Sequence, residues 1–108
     1  MSTRQDRVHE LLLRNAGEYI ARESNRTALI TPTRATISPD FKNATILVSV
    51  FPAKQERGAL DFLSRHERGF REYLKSRKVL RRSIPRVRFE IDRGEKHRQQ
   101  LDSVILDA

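Results

Sequence analysis

The sequence predicts an α+β domain: a small three-stranded sheet packed against helices, in the order helix, strand, strand, helix, helix, strand, with a short C-terminal helix. Three observations carry this. Apolar residues recur at three- and four-residue spacing in an N-terminal stretch and again in the middle of the chain. Two shorter stretches alternate with period two instead, and a third is rich in Thr and Ile, which suit a strand. Turn-forming residues separate the two kinds of stretch, and 108 residues are enough for one domain, residues 1–108.

Thr3 to about Arg22 reads as the first helix. Val8, Leu11, Leu12, Ala16, Tyr19 and Ile20 make one apolar face, with Ser2 or Thr3 as cap and Asp6 in the first turn. Gly17 weakens it by about 1 kcal/mol relative to Ala. ESNRT then breaks the pattern as a turn. Leu29–Ile37 (LITPTRATI) is the first strand, and Pro32 places it at an edge or at a bulge. SPDFK is a short turn that joins it antiparallel to Asn43–Phe51 (NATILVSVF). Both alternating sets of this second strand are largely apolar, so it is expected at the centre, covered on both faces.

After Pro52 the period becomes helical. Ala59, Leu60 and Leu63 share one side of Gln55–His66. Gly69 marks a break, and Phe70, Tyr73, Leu74 and Leu80 carry a helical stripe on to about Leu80. Pro85 stops it. Val87, Phe89 and Ile91 then alternate with Arg86, Arg88, Glu90 and Asp92 as the third strand. Leu101, Val104 and Ile105 define the closing helix.

Charge is concentrated. The chain has 22 Lys and Arg against 14 Asp and Glu, for a net charge of +8. Ten of the basic and two of the acidic residues lie between Arg65 and Arg88, so that segment holds the whole excess. On a helix from Phe70 to about Leu80, Arg71, Lys75, Lys78 and Arg82 form a stripe apart from the apolar one, and Arg68 extends it. Glu72 falls at its far edge. Arg77 and Arg81 fall on the apolar side, where they snorkel unless the helix unwinds before Arg81. Like charges at i,i+4 destabilise a helix by about 0.2–0.5 kcal/mol per pair. A single-sign stripe kept at that cost points to an anionic partner: nucleic acid, anionic lipid or an acidic protein. A membrane surface fits least, because the apolar face of the helix is committed to the core. Few aromatic residues are free for base stacking, which favours recognition of folded RNA by shape.

Other chemistries find little support. There is no cysteine, hence no disulfide or thiolate metal site. No run of roughly 18 apolar residues suggests a membrane span, and MSTRQDRVHE lacks an apolar leader, so a soluble, cytoplasmic protein is expected. His9, His66 and His97 are scattered on polar segments and read as exposed, with no metal spacing. Asp40 reads as a turn residue, and Glu90 and Asp92 as the polar side of a strand. The four glycines stand apart, with no phosphate-cradling loop. No Ser/His/Asp or Cys/His signature exists, so neither an enzyme, a cofactor nor a small-molecule substrate is expected.

Two stretches together resemble a known family. Ser38-Pro39-Asp40-Phe41-Lys42-Asn43-Ala44-Thr45-Ile46 with Val48-Ser49-Val50 is similar to the Ser-x-Asp-hydrophobic turn and following strand of bacterial ribosome-binding factor A. Gly69-Phe70, Leu74, Arg82, Pro85, Val87, Phe89 and Asp92 resemble its second half, where Gly-Phe opens a basic helix ahead of an Arg-x-x-Pro segment. Leu101, Val104 and Ile105 match its closing apolar turn. The resemblance implies a type II KH-like fold, αββααβ, with a helix–kink–helix around Ala-x-Gly where other KH domains have Gly-x-x-Gly. Here that kink is Glu67-Arg68-Gly69, with Glu replacing Ala. In ESNRTALI, only Arg26 matches a frequent Asp-Pro-Arg. The resemblance further implies a monomer that binds the free or immature 30S subunit and its 16S rRNA, assists assembly and 5′-end processing, and serves cold adaptation. On that reading Arg68, Arg71, Lys75, Lys78, Arg81 and Arg82 meet rRNA phosphates, with Arg86 and Arg88 as weaker candidates. A general KH-like binder of structured RNA, and a module for an acidic protein partner, remain the alternatives.

Overall fold

The computed structural model describes residues 3–80 and 83–94. Its elements run α1 (Arg4–Glu23), β1 (Leu29–Ile37), β2 (Asn43–Phe51), a 3-10 turn (Ala53–Gln55), α2 (Glu56–Arg65), α3 (Glu67–Ser76) and β3 (Arg86–Ile91). This is the expected αββααβ order. The expected helix at Leu101, Val104 and Ile105 lies outside the described residues.

Helix α1 starts with a reciprocal capping box. The Asp6 N–H donates to Thr3 Oγ1 at 3.1 Å, and the Thr3 N–H donates to Asp6 Oδ2 at 3.0 Å. The Thr3 N–H and, second, the Thr3 hydroxyl beside it favour the carboxylate and hold the Asp6 pKa below 3.8. Val8, Leu12, Ala16, Tyr19 and Ile20 are buried as their spacing predicts, whereas Leu11 is only half-buried. Asn15 is buried as well, and its side-chain amide donates to the Leu11 carbonyl at 2.8 Å.

The sheet order is β1-β2-β3. Strand β2 runs antiparallel to β1 and parallel to β3, with α2 and α3 forming the crossover. Strand β1 is both an edge and bulged: Pro32 pairs with Val48, Arg34 with Leu47, and Thr33 is the extra residue between them. The Thr33 hydroxyl donates to Asp92 Oδ2 at 2.5 Å and lies 3.2 Å from the Leu47 carbonyl. This bond reaches from the β1 edge past β2 to the residue after β3.

Coverage of β2 differs from the expectation. Ala44, Ile46, Val48 and Val50 are buried, but Thr45, Leu47 and Ser49 are half-buried and Phe51 is 68% exposed. Among the described residues the strand is central yet covered on one face only. With just three strands and three described helices, all of the helices' apolar stripes are satisfied by one side of the sheet. That core joins α1 to Ala59 and Leu63 of α2, to Phe70, Tyr73 and Leu74 of α3, and to Val87, Phe89 and Ile91 of β3. Burying a side chain such as Phe70 or Leu74 stabilises by about 1.5–3 kcal/mol.

The turn from β1 to β2 is closed by its own polar groups. The Ser38 hydroxyl donates to Asp40 Oδ1 at 2.6 Å, which also accepts from the Lys42 N–H at 3.0 Å. The Asn43 N–H donates to Ser38 Oγ at 3.0 Å. The Ser38 and Lys42 bonds hold the Asp40 pKa below 3.8. Within this frame Phe41 has φ of 60°, a left-handed backbone seldom adopted by a bulky residue.

Candidate nucleic-acid interface

The break between α2 and α3 is at His66, with φ −100° and ψ 4°, rather than at Gly69. Glu67, Arg68 and Gly69 form the first turn of α3, where an acidic Glu67 suits the positive helix end. Gly69 has a different task from bending the chain. A Cβ there would collide with the Tyr19 hydroxyl oxygen, so glycine lets α1 close on α3 at this point. The same hydroxyl is 2.9 Å from His66 Nδ1, and the Phe62 and His66 ring centroids are 4.3 Å apart. His66 is therefore half-buried instead of exposed. His9 is also half-buried, while His97 lies outside the described residues. Burial raises the Tyr19 pKa above 10.0.

Helix α3 stops at Ser76, a turn earlier than the stripe to Leu80 suggests. The Val79 N–H donates to the Leu74 carbonyl at 3.3 Å and the Lys78 N–H to the Lys75 carbonyl at 3.1 Å. Those two bonds make a Schellman C-cap around Lys78, which has φ of 52°. A Lys here is unusual, since glycine is the common choice. Lys78 thus lies off the helix, and Arg71, Lys75 and Lys78 do not form one helical row.

The reversal nevertheless returns Lys78 to its neighbours. Arg71, Lys75 and Lys78 line one groove of about 380 Å³, together with Glu72, Leu80, Ser83 and Ile84. Among the described residues no carboxylate forms an ion pair with any of the three. Arg71 also has a structural duty. Its Nε donates to the Pro85 carbonyl at 3.1 Å and its Nη2 to the Ile84 carbonyl at 3.3 Å. This ties α3 to the start of β3. Arg68 is exposed on the first turn of α3, outside the groove lining. Arg81 and Arg82 lie outside the described residues.

Arg86 and Arg88 are not part of this groove. Both are exposed on β3, alternating with buried Val87 and Phe89, and so face away from the helices. There Arg88 pairs with Thr45, and Thr45 with Thr36. Arg34, opposite Leu47, is a third arginine on that uncovered side. Its position follows from the bulge at Thr33, which simple alternation through LITPTRATI does not reveal. The fold therefore divides the sequence's basic segment between a helix-side groove and a sheet face.

Arg77 belongs to neither. Its Cζ is 5.3 Å from the Tyr73 ring centroid, and its Nη1 donates to the Tyr73 hydroxyl at 3.1 Å. Arg22 of α1 is 4.9 Å from the same centroid, so cation–π contacts join α1 and α3 there. The Arg77–Glu18 ion pair at 3.8 Å is about half-exposed and adds little. Sequence periodicity placed Arg77 on the apolar side, and snorkelling over Tyr73 is how it is accommodated. Among the described residues no three His, Asp or Glu side chains gather as a metal site. Among the same residues no helix is long and apolar enough to cross a membrane.

Comparison with known proteins assigns this arrangement. The family model for ribosome-binding factor A matches residues 4–105. A ribosome-binding factor A from Thermomicrobium roseum is 30% identical over 106 residues, covering 96% of this chain and 82% of that protein. The crystal structure of ribosome-binding factor A from Thermus thermophilus superposes with a TM-score of 0.70 at 30% identity, over 81% of this chain and 94% of that one. A homology model of the Thermus thermophilus factor, fitted into a cryo-electron-microscopy map of its 30S complex, gives 0.67 at 30% identity, over 79% and 91%. The helix pair broken at His66, the one-sided sheet and the match over almost the full length agree: the chain has a KH-like fold and belongs to the ribosome-binding factor A family.

Proposed function

We propose that the protein binds the free or immature 30S subunit through the groove of Arg71, Lys75 and Lys78, and assists small-subunit assembly and 16S rRNA 5′-end processing in the cytoplasm. The observation that carries this reading is the convergence of three basic side chains, none ion-paired among the described residues, on one groove. A related factor of similar fold has been fitted into a 30S complex, which supports the same partner for this chain. Contacts of this kind are to phosphates; they position the protein on folded RNA and give salt-dependent affinity without reading bases. Arg68 flanks the groove, Arg81 and Arg82 add charge from the adjoining sequence, and Arg86 and Arg88 offer a second, sheet-side contact. The factor acts as a monomer and carries out no chemical step itself.

Co-sedimentation tests the proposal. The protein is expected with 30S subunits and not with 70S ribosomes, and Lys75→Glu weakens the association. Migration with 70S alone, or with neither particle, overturns it. Similar affinity for unrelated structured RNAs at equal salt would instead indicate a general RNA binder.

A further inference from the structure

Beside the basic groove lies a second groove, of about 170 Å³. Buried Val8, Ile37 and Pro85 form its floor, half-buried Phe41, Val79 and Leu80 its walls, and exposed Arg4 and Arg7 sit at its rim. Leu80 and Ser83 line both grooves, so the two are adjacent and share a wall. Among the described residues neither Arg4 nor Arg7 forms an ion pair. The Arg4 guanidinium carbon instead lies 5.0 Å from the Phe41 ring centroid.

We infer that this groove receives one unpaired RNA base against Phe41 and Leu80, with Arg4 and Arg7 taking the adjoining phosphates. The inference rests on the proposed RNA-binding function and names a contact that the basic groove cannot make. Its chemistry follows from the lining. An apolar slot with cationic groups only at its mouth matches a ligand that joins a flat, weakly polar ring to an anion. An acidic peptide offers anions without the ring. The slot borders the basic groove, so a strand whose phosphates follow Arg71, Lys75 and Lys78 can reach it past the shared Leu80 and Ser83.

The backbone points the same way. Phe41 keeps φ of 60°, and the Ser38–Asp40–Lys42–Asn43 bonds enforce the turn around it. Left-handed conformations of bulky residues persist where the surroundings over-determine them, which is common at ligand sites. Here the consequence is an aromatic ring held on the groove wall. Among the described residues the lining presents no uncharged polar side chain apart from Ser83, so the base is recognised by its ring face with little preference among bases.

The chain has no tryptophan, which makes a single-Trp reporter available. In Phe41→Trp, short single-stranded RNA should quench tryptophan fluorescence saturably. The same strand with abasic sites should bind about tenfold more weakly and quench little, because base–aromatic stacking is lost. Leu80→Trp, on the facing wall, provides the same reading independently if the first variant does not fold. Arg4→Ala with Arg7→Ala should shift the quenching curve to higher RNA concentration, whereas total binding read by anisotropy of labelled RNA changes less. Equal quenching by the abasic strand, or quenching by an acidic peptide in place of RNA, overturns the base site. So does normal anisotropy without quenching, which leaves the basic groove intact as the RNA contact. Loss of all RNA binding by the unsubstituted protein overturns both readings together.

Discussion

The Tyr19 hydroxyl of α1 lies 2.9 Å from His66 Nδ1, at the single residue that separates α2 from α3, and it occupies the space that a side chain at position 69 would need. One phenol thus fixes the helix break and excludes a Cβ from the next turn. Gly69→Ala is expected to destabilise the protein by about 1–3 kcal/mol, the usual cost of overpacking. Tyr19→Phe removes the oxygen that clashes and should restore part of the loss, so the two changes are non-additive. Urea midpoints of the two single variants and the double variant measure this. Gly17→Ala, with no neighbour within 4 Å, should stabilise by up to about 1 kcal/mol and serves as the control.

The C-cap of α3 separates stability from binding. Lys78 sits at the Schellman position with φ of 52°, a conformation that costs an ordinary residue about 1 kcal/mol relative to glycine. Lys78→Gly should therefore raise the melting temperature while lowering affinity for 30S subunits. A fall in both would mean that the lysine stabilises the turn.

Arg71 and Lys75 share a groove but differ in duty. Lys75 is exposed, and among the described residues its side chain forms no ion pair, so Lys75→Glu should change stability by no more than about 0.5 kcal/mol. Arg71 donates to the Pro85 and Ile84 carbonyls, and Arg71→Ala should cost about 1 kcal/mol or more. Binding assays on Arg71 variants mix both effects, so Lys75 is the cleaner probe. In a salt titration, neutralising Lys75 with glutamine should reduce the log–log slope by about 1.

The β1–β2 turn is acid-sensitive. The Asp40 pKa is lowered on folding by the Ser38 hydroxyl and the Lys42 N–H. A depressed carboxyl pKa contributes stability above its unfolded value, near 3.8, and that contribution is lost as pH falls through the lower folded value. Amide exchange at Lys42 and Asn43 should accelerate in that window, beyond the intrinsic pH trend. Asp40→Asn should abolish the extra step and weaken the turn at neutral pH.

Much of this architecture was legible from apolar spacing. The face Val8–Leu12–Ala16–Tyr19–Ile20 and the buried set Val87, Phe89, Ile91 follow directly from period. The Pro32 signal correctly marked β1 as an irregular edge. What spacing missed were events that depend on the backbone or on tertiary contact. A lysine at a left-handed C-cap carries no glycine signal, so α3 was read about a turn too long. The second strand's two apolar sets suggest two covering layers, yet the described helices are all used on one side. Gly69 looked like a hinge because a lone glycine in a helical pattern usually weakens it; only the arrival of Tyr19 from α1 shows that it is a clearance. The candidate basic residues were visible as a charge excess. Their division between groove and sheet required the register of β3 and the chain reversal at Lys78.

The Thr33–Asp92 bond has a consequence for cooperativity. An edge strand with a bulge and a proline would ordinarily fray on its own, as a low-stability unit. Here the extra residue of the bulge is fastened to the far end of β3, whose Asp92 N–H also donates to the Val48 carbonyl at 2.8 Å. The first and last strands are thereby joined without being neighbours, and opening one loosens the other. The irregularity that interrupts pairing in β1 thus makes the sheet behave as one folding unit.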